Sequence, residues 1–324
     1  MGGVQVTSSS PSSARRRRPW RTAVAVAAVL GAGAYLAVQQ LGGGPGEPRC
    51  AVAAADGGTA LELTPERAAN AATISAVASA RGLPPRAVAI ALATAMQESG
   101  LRNLDHGDKD SLGLFQQRPS QDWGTSRQIM DPVYAAGEFY AHLVKVPGYE
   151  RLPLTESAQR VQRSGYPLAY AKHETDATLL ADALTGRRGA ALSCVVPRPA
   201  NGADTGGGAG ARTADARGAT GVRERLVREF GAGVLPAAGT KGAGDAKGAP
   251  GRTVTVPVAG SGGDAARRGW QVALWSVAHS AELGVEQVSY AGRSWQASDA
   301  AAGWQRTAGA GGSGAAAVRI TTGQ

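Results

Sequence analysis

Apolar positions along this chain follow three patterns: one unbroken run, several stretches at helical spacing, and a few short blocks near the C-terminus. The run begins at Ala23-Val24-Ala25-Val26-Ala27-Ala28-Val29-Leu30 and continues to Val38 and Leu41, with no charge between Arg21 and Glu47. A helix needs about 20 mostly apolar residues to cross a bilayer, so residues 22–41 are expected to be a transmembrane anchor. Arg15 to Arg18 on its N-terminal side predict that residues 1–21 stay cytoplasmic and that everything beyond Leu41 lies outside. A cleaved signal peptide is the competing reading. Against it, the small-residue site Ala32-Gly33-Ala34 lies inside the run, and Ala53-Ala54-Ala55 lies well beyond it.

Beyond a tether at residues 42–58, residues 59–196 read as consecutive short helices. Thr64-Pro65-Glu66 supplies a cap, a first-turn proline and an acidic first turn, and Arg81-Gly82-Leu83-Pro84 ends that helix. The next starts near Pro85, carries Ala87, Ala91, Ala95 and Glu98 at helical spacing, and stops at Gly100. Asp131-Pro132 opens a third, with Val133, Ala136, Tyr140 and Leu143 on one face. Two more fit around Thr155–Ser164 and Asp176–Leu184, and Leu112-Gly113-Leu114-Phe115-Gln116 fits a short hairpin strand. Residues 197–220 collapse to Gly, Ala, Thr, Asp and Arg and are expected to be a flexible linker. Residues 221–324 then read as a small α+β module. Its elements are an amphipathic Val222–Phe230, strands at Thr253–Val256, Val285–Tyr290 and Val318–Thr321, and a helix from Arg267 to Leu283. The fold class expected from these patterns is mostly α: one helical domain behind a single transmembrane helix, plus the α+β module.

Composition sharpens this picture in two places. A net charge of +9 over 324 residues raises nucleic acid as a partner, but the Arg15–Arg18 run has a topological explanation, so the expected partners exclude nucleic acid. The two cysteines, Cys50 and Cys194, both fall on the outer side and bracket the helical segment. A disulfide persists in that compartment, so a Cys50–Cys194 bridge is expected. The four histidines show no ligand spacing, and neither a metal nor a cofactor is expected. A calcium loop built from Asp105, Asp108 and Asp110 lacks the EF-hand spacing and its closing glutamate.

The candidate chemistry centres on Met96-Gln97-Glu98-Ser99-Gly100. Glu98 falls at the end of the inward face of its helix. A partly buried carboxyl at the negative end of a helix dipole holds a proton more readily, as a general acid for glycoside cleavage requires. An ordinary solvated glutamate ending a helix is the alternative. The sequel changes the balance, because Ser111-Leu112-Gly113-Leu114-Phe115-Gln116 follows at short range.

In these two segments the chain resembles the soluble lytic transglycosylases and goose-type lysozymes. Their motif is a catalytic Glu-Ser, a loop, and then Ser-x-x-Gly-Leu-x-Gln or a close variant. Here the spacing before Gly113 is one residue shorter than the commonest form. The resemblance covers roughly residues 60–190 and is nearest to domains of secreted actinobacterial wall proteins. It implies a lysozyme-like fold and a single catalytic Glu98 that cleaves peptidoglycan between N-acetylmuramic acid and N-acetylglucosamine. The implied product is a 1,6-anhydro sugar formed without water. A second carboxylate at Asp108 or Asp110 would instead favour hydrolysis.

The resemblance further implies that Ser99, Ser111 and Gln116 line the glycan site, with the Gln116 amide bonding an N-acetyl group. Trp123 is either a sugar platform or a core tryptophan. The family's Ala-Tyr-Asn-Ala-Gly segment is matched only by Ala169-Tyr170-Ala171, which leaves Tyr170 as a partner for Glu98. A lysozyme-fold wall-binding or scaffold protein of an envelope complex, with catalysis weakened, is the alternative function. In the C-terminal module, Trp270, Trp275, Trp295 and Trp304 read as core, with binding of wall or envelope proteins as the functional alternative. His279 has no evident acid partner in the sequence.

Overall fold

Thr64 begins the helical part of the fold as the sequence predicts: its hydroxyl accepts the Arg67 N–H at 3.4 Å and starts α1, Pro65–Ala80. The computed structural model describes Gly2 and residues 47–53, 61–163, 168–196, 218–236, 251–260, 262–307 and 316–323. Residues 47–324 make one contact unit, and the account below concerns that unit.

From Ala68 to Ala78 every residue of α1 is buried, so this helix is enclosed on all sides. Its alanine-rich surface lets neighbours approach closely. Those neighbours are α2 (Pro85–Ser99), α4 (Pro132–Leu143), α6 (Glu174–Leu184), α7 (Gly218–Phe230) and α8 (Gly263–Ala278). Shorter helices α3 (Ser126–Ile129), α5 (Leu154–Gln162) and α9 (Ser280–Leu283) complete the helical set among the described residues.

Eight strands are described. β1 (Arg49–Val52) lies between β2 (Leu61–Leu63) and β3 (Leu192–Val195) in an antiparallel sheet. The register sets Cys50 opposite Cys194, and the two are joined as the expected disulfide. The second sheet has the order β4-β8-β5-β6-β7, from Thr253–Pro257, Ala317–Thr322, Val285–Tyr290, Arg293–Gln296 and Gln305–Arg306, with every pairing antiparallel.

The expected fold class is therefore corrected. About half of the described residues are helix and 17% are strand, arranged with two sheets, so the described fold is mixed α and β rather than mostly α. Leu61–Leu63 is too short to show alternation, and the central strand of the first sheet, besides its local partner β2, pairs with β3 far away in sequence. No helix among the described residues is long and apolar enough to cross a membrane, and the expected anchor at 22–41 lies outside those residues. The described residues thus show no single transmembrane helix.

The helical segment and the C-terminal segment share one hydrophobic core. The indole N–H of Trp304 donates to the Leu192 carbonyl at 2.9 Å, and that of Trp295 to Ser193 Oγ at 3.2 Å, so two C-terminal tryptophans are fastened to β3. Gly186, at φ +72°, marks how close the two segments come. A Cβ there would lie 1.9 Å from the Arg267 carbonyl oxygen, so only glycine fits both the turn and the approach. The interval from 197 to 217, most of the expected linker, lies outside the described residues.

Candidate functional site

Helix α2 delivers Glu98 to its last turn and then stops. Gly100 takes the left-handed conformation at φ 63°, and its N–H returns to the Met96 carbonyl while that of Leu101 returns to Ala95. The side chain of Asn70, on α1, donates to the Leu101 carbonyl at 2.9 Å and holds the exit of the helix in place.

Ser99 binds the helix end to the next segment. Its buried hydroxyl lies 2.8 Å from the Leu114 carbonyl and 3.1 Å from that of Ala95. The expected hairpin is a tight turn closed by bridges Leu112–Gln117 and Leu104–Gly113. Phe115 anchors it by stacking on Phe139 at 4.7 Å, and Gln162 donates to the Phe115 carbonyl at 2.8 Å. Gln117, buried and outside the expected site, donates to the Ala135 carbonyl at 3.0 Å.

The half-buried Glu98 carboxyl accepts a hydrogen bond on Oε1 from the Tyr170 hydroxyl at 2.7 Å. Tyr170 is itself buried and lies 72 residues away along the chain. Among the described residues no further hydrogen bond to the carboxyl is found, which leaves Oε2 as the unbonded oxygen.

The other expected site residues are placed differently. Ser111 is buried in its loop, with its N–H on the Asp108 carbonyl at 3.1 Å. Gln116 turns its amide back onto its own loop, 3.3 Å from the His106 carbonyl and 3.4 Å from that of Gly113. Trp123 is partly buried and stacks on His142 with ring centres 4.3 Å apart.

Asp110 is bound to Arg118 at 2.7 Å and to the Ser120 N–H at 2.8 Å. The Ser120 N–H first, and then Arg118, hold its carboxyl far below the usual carboxylate range. It is thus an anion in an ion pair, unsuited to carrying a proton. Asp105, exposed, pairs with His106 at 2.8 Å. Among the described residues no group of three His, Cys, Asp or Glu could hold a metal ion.

A second polar cluster, legible only in three dimensions, joins the two segments. Glu229, on α7, is fully buried and accepts from Trp275 Nε1 at 2.7 Å, from the Thr73 hydroxyl at 2.9 Å, and from Arg225. His279 Nε2 lies 3.4 Å from Thr73 Oγ1 and 3.7 Å from Glu229 Oε1, while Nδ1 lies 3.0 Å from the Trp275 carbonyl. His279 therefore has the acid neighbour that sequence reading did not find. Its 0% exposure denies a substrate access, so the cluster is a structural lock. The four C-terminal tryptophans are likewise core: Trp275, Trp295 and Trp304 are buried, and Trp270 packs edge-on against Trp304 and Tyr290.

A family model described as VldE, C-terminal domain, matches residues 213–318. That stretch spans α7 and most of the second sheet, is well under half of the chain, and does not reach Glu98. No curated protein matches the chain.

Proposed function

We propose that this protein cleaves peptidoglycan glycan strands with Glu98 as its single acid and base. The hydrogen bond from Tyr170 to Glu98 Oε1 carries the reading, because it turns the carboxyl so that Oε2 is the oxygen left to act. A residue from the incomplete third motif thus stands on the candidate acid, at the end of a helix tied by Ser99 to the turn that the same resemblance singles out.

In the proposed reaction, protonated Glu98 donates its proton to the glycosidic oxygen as the bond from N-acetylmuramic acid to N-acetylglucosamine breaks. The resulting carboxylate then takes the proton of the C6 hydroxyl as that oxygen closes on C1, giving a 1,6-anhydro end. Tyr170 keeps the carboxyl oriented in both halves. Commitment of Asp110 to Arg118 removes one of the two candidates for a hydrolytic second carboxylate, which favours the lytic outcome. An extracytoplasmic site of action agrees with the Cys50–Cys194 disulfide.

A second reading, a wall-binding or envelope scaffold protein with weakened catalysis, is favoured by the side chains of Gln116 and Trp123. Both are engaged within the protein, on their own loop and on His142 respectively. Incubating the full-length protein with purified peptidoglycan separates the two. Released anhydro-ended fragments support the lytic enzyme, and sedimentation with the sacculus without release supports the scaffold.

A further inference from the structure

A cleft of about 660 Å³ opens where α8 of the C-terminal segment crosses the junction of α1, α2 and α6. It is not the Glu98 site. Val88 lines it, ten residues before Glu98 on α2, which is about 15 Å along the helix. Its volume lies in the range of small-molecule sites, roughly 300–1,000 Å³.

The chemistry of its walls is donor-rich. Arg187, Arg267 and Arg268 line it against one carboxylate, Asp264. Arg267 is bonded to Asp264, and Arg187 pairs with Asp182 at 3.3 Å. Among the described residues Arg268 has no carboxylate partner and donates only to the Ala259 carbonyl.

The hydroxyl groups nearby are already spent. Ser75 donates to the Leu184 carbonyl at 3.1 Å, Thr185 to that of Ala181 at 2.7 Å, and Ser79 to Gln271 Oε1 at 2.9 Å. The last bond matters most, because Gln271 is only 8% exposed and lines the cleft. With its oxygen used by Ser79, its NH₂ has no acceptor among the described residues and is left for an occupant. Leu83, Pro85 and Val88 supply an apolar wall.

We infer that this cleft binds a small organic oxyanion, a carboxylate or phosphate carried on a compact apolar body. The Arg268 guanidinium and the Gln271 NH₂ hold the anionic oxygens, and the apolar body rests on Leu83, Pro85 and Val88. Because the walls come from both segments, the ligand bridges them, and its site is independent of the peptidoglycan reading.

Calorimetric titration of the full-length protein with phenyl phosphate, benzoate and inorganic phosphate tests this. At least one of the two ring-bearing anions is expected to saturate a single site and to bind more tightly than inorganic phosphate; which one does so identifies the headgroup. Arg268→Gln, an exposed change that leaves the fold intact, is expected to weaken that binding roughly tenfold, as is Gln271→Leu, the scale of a charge-assisted hydrogen bond. Glu98→Gln is expected to leave it unchanged. No saturable binding, inorganic phosphate binding as tightly as the ring-bearing anions, or affinity indifferent to Arg268→Gln would each overturn the inference.

Discussion

Replacing Glu229 with alanine removes the acceptor at the centre of the contact between the two segments. Three donors lose their acceptor on Glu229 at once: the Trp275 indole N–H, the Arg225 guanidinium and the Thr73 hydroxyl, which keeps only His279 Nε2 at 3.4 Å. Thr73 and Trp275 are each 1% exposed and cannot recruit water without the core opening. Each buried donor left unpaired costs about 1–3 kcal/mol. Arg225 is less affected, because its side chain is 28% exposed and keeps Glu282 at 3.4 Å. Burial opposes its charge, and Glu229 followed by Glu282 more than offset that effect.

The sum for the two buried donors is a loss of about 2–6 kcal/mol, which brackets the roughly 3–5 kcal/mol seen when one partner of a buried ion pair is deleted. With a urea dependence of about 3 kcal/mol per molar, the unfolding midpoint falls by about 1–2 M. Glu229→Gln keeps the shape and one acceptor oxygen but turns an NH₂ toward Trp275 or Arg225, so about 2–3 kcal/mol is expected. Urea unfolding followed by tryptophan fluorescence and far-ultraviolet circular dichroism reads both variants. The two signals should move together, because Trp275 and α1 belong to one core. A loss below about 1 kcal/mol for the alanine variant, or fluorescence and dichroism that separate in the wild type, would refute the reasoning.

Other consequences are as direct. Tyr170→Phe should preserve folding and lower glycan cleavage by roughly 10- to 100-fold, the factor for one hydrogen bond to a charged group; unchanged turnover would remove Tyr170 from the site. Asp110 should stay ionised well below the ordinary carboxylate range in a nuclear magnetic resonance titration, and Arg118→Ala should bring its titration back toward that range. Since its folded pKa is depressed, the stability it contributes is present above the unfolded value near 3.9 and is lost as pH falls toward the folded value. Reducing Cys50–Cys194, or replacing both by alanine, opens a loop of 144 residues. It should cost about 5 kcal/mol in chemical denaturation, the chain-entropy estimate for so long a loop.

Helices with their own punctuation were the legible part of the fold. Thr64-Pro65, Gly100 and Asp131-Pro132 set boundaries by local backbone chemistry, and α1, α2 and α4 begin and end at them. The strand Val285–Tyr290 was also legible, with Val285, Val288 and Tyr290 just ahead of the Ala291-Gly292 turn. The first sheet was not legible, because its strands have only three or four residues each and β3 joins β1 across more than a hundred residues.

For the same reason the sequence placed Trp295 and Trp304 in a separate module, whereas their indoles bond to β3. In the candidate site, Glu98 and Tyr170 could be named from motif fragments, and the fold sets them 2.7 Å apart. The Glu229 cluster brings Thr73 together with the i,i+4 pairs Arg225/Glu229 and Trp275/His279, and only the packing of α1, α7 and α8 reveals that the three belong together.

Mass spectrometry of the fragments released from purified peptidoglycan, by the full-length protein and by its Glu98→Gln variant, tests the central claim most directly. Anhydro-ended muropeptides from the wild type that vanish in the variant are the predicted result. Release that persists in Glu98→Gln, or no release by the wild type, would contradict it.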